Sequence, residues 1–314
     1  MLLAVAAFLI AGPSAAAQVA SGAPRFRRLA PGVLTTIPAE VLPEETVSHS
    51  TLPALRSDPD LDWTPKSSSK SRTLFERAGA VEFRRDVWCL ELSFKPLRMI
   101  MIDVPQPSGR LQQKLVWYMV YRVTNTGVSL HPEQTAGGTF EAKPGPAAPH
   151  RFIPQFVLES RERDAQGKPA NKAYLSRIIP AAVVPIQERE DRNRRLLSTA
   201  EMATVEIPLS KGRINRSIWG VVTWEDVDPE LDFFSVYVGG LTNAYRWTNP
   251  KGAYRPGDPP GAGRQYAWKT LQLNFWRPGD ELREHEEEIR FGVPPGMSDL
   301  YDCDEGVAYR WTYP

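Results

Sequence analysis

The chain has 314 residues, with 38 Lys and Arg against 37 Asp and Glu, so its formal net charge is +1. This near balance argues against bulk electrostatic attraction to nucleic acid or to anionic lipid. Proline is over-represented: the 29 prolines are about 9% of the chain, where soluble proteins average near 5%. Prolines at this density break helices and occupy strand ends and loops, so the composition favours a mostly β chain with long connections.

The N-terminus has features of a secretory signal peptide. Residues 2–11 form a short apolar run, Gly12 and Pro13 interrupt it, and residues 15–17 are alanines typical of a cleavage site. We therefore predict a signal peptide over residues 1–17, although the basic residues that usually precede the apolar run are missing. A run of about ten residues is shorter than the ~20 needed to span a bilayer, which disfavours an uncleaved anchor. The mature chain is expected to be exported, either periplasmic or extracellular, without a transmembrane segment.

The next stretch, residues 18–71, is predicted to be a flexible segment rich in proline and serine. Seven prolines interrupt it, and a Lys/Ser run ends it. Such a segment buries too little apolar surface to offset the entropy lost on ordering, although parts of it could lie along the domain as extended chain. The folded domain is predicted over residues 72–314. A division into two sandwiches near residues 187–202 is the alternative.

The clearest strand pattern is LVWYMVYRVTNTG, over residues 115–127. Trp117, Met119 and Tyr121 alternate with Tyr118 and Val120, so both faces are apolar, as is typical of a central strand covered on both sides. Other strand patterns recur every ten to thirty residues with turn signals between them, which favours a β-sandwich. The alternating charges of residues 187–202 predict a single surface helix.

Motifs of common catalytic chemistries are missing from the sequence. The four histidines are not at metal-binding spacing, and there is no HExxH motif, G-x-S-x-G elbow, P-loop or dinucleotide fingerprint. We therefore expect a non-catalytic protein and predict no catalytic residues.

Two acidic stretches are candidates for chemistry. Asp226, Asp228 and Asp232 lie between two predicted strands, and residues 299–305 carry four further carboxylates. Calcium takes six to eight oxygen ligands, so the first three residues are a candidate calcium site, although the full D-x-D-x-D-G pattern is missing. No other cofactor is expected. A pair of carboxylates from these stretches would alternatively serve a secreted glycan-acting hydrolase as acid and base.

The chain contains two cysteines, Cys89 and Cys303. An even pair of cysteines in an oxidising compartment is typical of a disulfide. Cys89 lies opposite the apolar face of its predicted strand, from which its thiol would reach a covering C-terminal segment. A Cys89–Cys303 disulfide is therefore a hypothesis, with two free thiols as the alternative.

Three aromatic residues, Tyr245, Trp247 and Tyr254, are the candidate ligand-binding residues. They lie in a Pro/Gly-rich stretch, residues 242–264, that is predicted to be a loop. Exposed aromatic rings stack on sugar rings and anchor protein interfaces, so the expected partner is a cell-envelope polymer or another protein. The alternative is that these rings cover one end of the sandwich and are buried.

Several segments resemble a known group of sequences. WYMVYRVTNTG, FIPQF, IWGVVTWEDVDPELDFFSVYVGGLTN and KTLQLNFWRPGDE are similar to segments of uncharacterised exported proteins of planctomycete-type bacteria. The Y-x-V-x-N-x-G rhythm is also similar to strands of immunoglobulin-like domains. The resemblance implies an exported single unit and assigns no role to any residue.

These patterns together lead to one expectation of fold and function. The fold is expected to be mostly β: an immunoglobulin-like antiparallel β-sandwich with long Pro/Gly-rich loops and one surface helix. The protein is expected to be a non-catalytic binding or structural module of the cell envelope. Its loop aromatics would contact glycan or another protein.

Overall fold

The computed structural model describes residues 34–49, 82–248, 250, 252, 263–278 and 289–314. The predicted signal peptide and most of the predicted flexible segment lie outside these ranges. The described residues form mainly antiparallel strands in two large sheets, which confirms the predicted mostly β sandwich. Among the described helices, none combines the length and the apolar character needed to cross a membrane.

The strands of the described residues are numbered in chain order. They are β1 (Thr35–Ile37), β2 (Val47–His49), β3 (Glu82–Arg84), β4 (Val87–Trp88), β5 (Glu91–Phe94), β6 (Arg98–Pro105), β7 (Leu111–Thr124), β8 (Ser129–Gln134), β9 (Phe140–Pro144), β10 (His150–Arg151), β11 (Gln155–Ser160), β12 (Ala173–Leu175), β13 (Glu206–Ile207), β14 (Ile218–Trp224), β15 (Phe233–Gly239), β16 (Tyr245–Thr248), β17 (Gln265–Trp268), β18 (Thr270–Trp276), β19 (Arg290–Phe291) and β20 (Tyr309–Thr312). The helices are α1 (Pro180–Glu190) and α2 (Thr199–Thr204), with 3₁₀ turns at Pro43–Thr46 and Ser298–Leu300.

Strand β7 is the centre of the first sheet. It pairs with β5 and β6 along one edge and with β14 along the other, all antiparallel, and β1 extends the sheet beyond β5. Strand β14 follows residues 187–202 in the chain, whereas β7 precedes them. Strands from both sides of that stretch therefore share one sheet.

The second sheet has the order β12-β11-β15-β18-β19, and β20 also pairs with β18. Its inner face packs on the first sheet through aromatic rings. Trp117 of β7 meets Phe234 edge-on at a centroid distance of 5.5 Å, and Tyr121 lies 5.0 Å from Phe156. All four side chains are buried. Aromatic pairs of this kind add about 0.5–1.5 kcal/mol each beyond the burial of their area.

Helix α1 covers the outer face of the first sheet. Tyr118 and Val120 of β7 pack in one buried cluster with Ala182 and Ile186 of the helix. Strand β7 is therefore covered on both faces, as the alternation of its apolar residues predicts. Its opposite face carries Trp117 and the other residues of the sandwich interior.

The helical region differs in its bounds from the predicted single helix over residues 187–202. Helix α1 begins at Pro180, because proline is well tolerated in the first turn, where the N–H has no partner within the helix. It ends at Glu190, and a turn precedes α2. Ser198 caps α2: its hydroxyl accepts the N–H of Glu201, and the Glu201 carboxylate accepts the N–H of Ser198.

Part of the predicted flexible segment is an ordered component of the sandwich. Residues 34–49 contain β1, which pairs with β5, and the side chain of Ile37 is buried in the main core. Glu45 forms an ion pair with Lys269, with 2.8 Å between Oε1 and Nζ, and both side chains are nearly inaccessible to water. The hydroxyl of Tyr313 also donates to Glu45. Burial and a charged partner from the far end of the chain stabilise a segment whose local sequence predicts disorder.

Glu190, the last residue of α1, binds the helix to the first sheet. Its carboxylate accepts hydrogen bonds from Lys95, Arg98 and Tyr118 at 2.7–3.1 Å, and its side chain is only 3% exposed. Burial opposes ionisation of this carboxyl group, but Arg98, Tyr118 and Lys95 outweigh that effect, and the pKa of Glu190 is lowered.

The substitution Glu190→Gln is expected to destabilise the protein by about 2–4 kcal/mol at pH 7, because two cations would lose their buried counter-charge. A carboxyl group whose pKa is lower in the folded state stabilises fully above its unfolded pKa of about 4.3. That stabilisation is lost as the pH falls through the lower, folded pKa, so the difference between the two proteins should narrow as the pH falls below about 4.3. Urea unfolding at pH 7 and pH 3.5 measures this.

Glu188→Gln is the matched control, since Glu188 is exposed on the same helix. It should leave stability almost unchanged at both pH values. Equal stability of the Glu190→Gln variant and the parent protein at pH 7 would contradict the role of this carboxylate.

Candidate functional site

The stretch predicted to be an aromatic loop, residues 242–264, contains strand β16. Strand β17 follows directly after the stretch and pairs with β16 in a two-stranded hairpin that belongs to neither large sheet. Tyr245 pairs directly with Trp268, and Trp247 with Tyr266. Directly paired residues in antiparallel strands, and residues two positions apart, share one face. The four rings therefore lie on a single face of the hairpin, which we call the aromatic face (Tyr245, Trp247, Tyr266, Trp268).

Two rings of the aromatic face are strongly exposed: Trp268 is 57% and Tyr266 50% accessible. Tyr245 lies between them and is partly buried, with centroid distances of 5.1 Å to Trp268 and 5.9 Å to Tyr266. The guanidinium of Arg264 stacks on Trp247, 3.5 Å from the ring centroid. Tyr254, the third predicted ligand-binding residue, lies outside the described residues.

Arg85 attaches the hairpin to the rest of the protein. Its guanidinium lies 3.7 Å from the ring centroid of Tyr245 and donates to the carbonyl oxygens of Asn243, Tyr245 and Glu45. Burial lowers the pKa of Arg85, and the neighbouring Tyr245, Tyr313 and Glu45 oppose that shift. One side chain therefore fixes both the start of β16 and the N-terminal segment.

A cavity of about 320 Å³ lies beside the aromatic face, and we call it the Trp88–Trp268 cavity. Ligand pockets commonly have volumes of about 300–1,000 Å³, so its size suits one small unit. Gly239 and Gly240 contribute bare backbone to its lining. Gly240 has φ +88°, and a Cβ there would lie 2.1 Å from the carbonyl oxygen of Ile153, so the position requires glycine.

Trp88, one of the aromatic residues that line the Trp88–Trp268 cavity, packs against a second ring. Trp88 stacks on His150 with 4.3 Å between ring centroids and 10° between ring planes. Burial lowers the pKa of His150, which favours the neutral imidazole at pH 7. The exposed side chain of Gln155 lines the same cavity and provides a polar group beside the rings.

A second cavity, of about 450 Å³, lies along the hairpin, and we call it the Arg246–Pro314 cavity. Trp247 and Tyr266 line it together with residues from the opposite face of the hairpin. Arg246 is exposed, and its guanidinium lies 4.1 Å from the ring centroid of Tyr313.

The predicted calcium site is not assembled. Asp226 pairs with Lys114 at 3.2 Å, and Asp228 accepts the backbone N–H of Glu230 within its own turn. Burial raises the pKa of Asp232, with Arg277 opposing the shift. In the part of the chain that the structure describes, no three His, Cys, Asp or Glu side chains form a metal-binding group. Asp226 thus pairs with strand β7, whereas Asp228 stabilises the turn between β14 and β15.

The predicted Cys89–Cys303 disulfide is not formed, and both cysteines are free thiols. Cys89 is buried beside Thr242, with which it forms an isolated β-bridge, and burial raises the pKa of its thiol to about 12. Cys303 lies in the C-terminal turns, where its sulfur accepts a hydrogen bond from Asn274. The two thiols therefore lie in separate surroundings. The position of Cys89 opposite the apolar face of its strand did not predict which residues it contacts.

The second acidic stretch lines a wider cavity of about 690 Å³, together with Arg163 and Arg310. Its Asp302 side chain is 73% exposed and pairs with Arg161. A general acid of a glycosidase normally needs a carboxyl group shielded from water, so that its pKa rises. The described geometry therefore gives this cavity less support as a hydrolytic site than the aromatic face has as a binding site.

Sequence reasoning found Tyr245 and Trp247 but missed Tyr266, Trp268 and Trp88 as parts of one surface. The available signal was the repeated aromatic-x-aromatic spacing on either side of a Pro/Gly-rich stretch, which is typical of a hairpin.

No family model, curated protein or solved structure matches this chain. The geometry of the aromatic face and its cavities is therefore the main indication of function.

The substitution Arg85→Ala is expected to loosen the hairpin without unfolding the sandwich, because three carbonyl oxygens and one ring would lose their common partner. Hydrogen exchange of the amides in residues 245–248 should become at least about tenfold faster. Arg192→Ala removes an exposed arginine beyond α1 and should leave this exchange unchanged. Unchanged exchange in the Arg85→Ala variant would contradict the anchoring role.

Proposed function

We propose that this protein is a non-catalytic binding module that holds polysaccharide on its aromatic face. The observation that carries the proposal is the placement of four aromatic rings on one face of a hairpin, two of them at least half exposed. The C–H groups of a sugar ring carry slight positive charge, and the face of an aromatic ring is negative, so the two surfaces attract. Extended rows of rings suit a chain of sugars.

The neighbouring cavities support a saccharide over a protein partner. A stable protein interface buries about 800 Å² on each partner around an apolar centre. The aromatic face instead adjoins two cavities, of about 320 and 450 Å³, that include polar side chains such as Gln155 and Gln265. Small, partly polar cavities beside exposed rings suit individual sugar units with their hydroxyl groups.

The cell envelope is the proposed location. The supporting observation is the apolar run of residues 2–11 followed by the alanines of residues 15–17. An exported protein with an immunoglobulin-like sandwich would meet envelope polysaccharide directly.

The test is affinity electrophoresis of the mature protein through gels that contain neutral or acidic polysaccharides. Trp268→Ala is expected to weaken binding by about tenfold or more, because truncation of a tryptophan that dominates a binding surface costs about 2 kcal/mol or more. Tyr266→Ala should weaken it less, because the smaller ring provides less contact area. Measurement of reducing ends in the same gels separates binding from hydrolysis.

Phe140→Ala is the matched control, because Phe140 is an exposed aromatic residue on the separate β8–β9 hairpin. It should bind as the parent protein does. If the gel retains the Trp268→Ala variant as strongly as the parent protein, binding at the aromatic face is refuted. Release of reducing ends would favour the glycan-acting hydrolase instead.

A further inference from the structure

The two cavities beside the aromatic face share an electrostatic feature: among the described residues, each is lined by one charged side chain, and both are arginines. Arg151 lines the Trp88–Trp268 cavity, and Arg246 lines the Arg246–Pro314 cavity. The whole chain carries 38 basic and 37 acidic residues. The basic side chains of both linings are therefore a local feature and do not follow from the composition.

The guanidinium N–H groups of Arg246 have no hydrogen-bond acceptor among the described residues. Within the described residues its guanidinium stacks on Tyr313, and it has neither an ion pair nor a side-chain hydrogen bond there. Stacking uses the flat face of a guanidinium and leaves the N–H groups along its edge for another acceptor. The ring of Tyr313 therefore positions a cation at the cavity without neutralising it.

Arg151 is only weakly paired. Its closest carboxylate oxygen, on Glu206, is 3.7 Å away, and the two side chains are 54% and 65% exposed. Exposed ion pairs contribute about 0–1 kcal/mol, so a ligand carboxylate could replace Glu206 at small cost. A second positive group is thus available beside Trp268.

We infer that the polysaccharide bound by the aromatic face is acidic, with carboxylates on its sugar rings. The inference rests on the proposed function and names the class of its ligand. The guanidinium fork matches a planar carboxylate with two parallel hydrogen bonds. A sugar ring stacked on Trp268 would lie beside the cavity that Arg151 lines, and one stacked on Tyr266 would lie beside the cavity that Arg246 lines from the opposite face of the hairpin.

The experiment compares polymers that share a backbone and differ in charge. The first pair is polygalacturonate and its methyl ester; the second is carboxymethyl cellulose and hydroxyethyl cellulose. Dissociation constants are measured by affinity electrophoresis at low and high salt for the full mature chain. The variants are Arg246→Ala, Arg246→Lys and Arg151→Ala, with Arg192→Ala as a control that removes an equal charge elsewhere.

In each pair of polymers, the carboxylated member is expected to bind at least about tenfold more tightly. This is the effect of one hydrogen bond between charged groups. Arg246→Ala and Arg151→Ala should each reduce this preference and leave the binding of the neutral polymer unaffected. Arg246→Lys should restore only part of it, because lysine keeps the charge without the fork. The preference should also decrease with salt, since these arginines are exposed.

Equal binding of charged and neutral polymers, with loss of both in Trp268→Ala, would overturn this inference and leave the proposed function standing. Arginine variants that bind like Arg192→Ala would overturn it as well. No retention by any of the four polymers would overturn both the inference and the proposed function.

Discussion

The burial of strand β7 on both of its faces is the constraint on which the rest of the structure depends. Trp117 and Tyr121 require the second sheet on one side, while Tyr118 and Val120 require helix α1 on the other. The carboxylate of Glu190 then fixes the helix, because Lys95, Arg98 and Tyr118 all donate to it. Alternate residues of β7 thus determine which element covers each face of the first sheet.

The hairpin β16–β17 lies outside these layers, and its position depends on buried polar contacts. Trp268 is exposed, but the next residue, Lys269, is buried and pairs with Glu45 of the N-terminal segment. Arg85 holds the other strand of the hairpin by its backbone carbonyls. Because these contacts hold both strands of the hairpin, its exposed rings keep a fixed arrangement. This arrangement reduces the entropy lost when a ligand binds. Large exposed apolar patches are uncommon on monomeric proteins and usually mark a binding surface.

The sequence predicted those features that depend on local pattern and missed those that depend on distant partners. Period-two alternation identified β7 and its two covered faces, because the side chains on each face of a strand reflect whether that face is buried. The order of residues 34–49 depends on Lys269, more than 200 residues away, and no local pattern contains that contact. The aromatic face was half predicted, since Tyr245 and Trp247 were recognised without the strand register that brings Tyr266 and Trp268 beside them. Cys89 is likewise buried beside Thr242, a distant residue that no local pattern identifies.

The most direct test of the account is fluorine NMR of protein labelled with 5-fluorotryptophan, with resonances assigned by single Trp→Phe substitutions. The Trp268 resonance should shift when water is replaced by D₂O and again when a short oligogalacturonate is added. The resonances of Trp117 and Trp224, which are buried in the sandwich, should respond to neither. A Trp268 resonance that moves no more than those two would contradict an exposed, ligand-binding aromatic face.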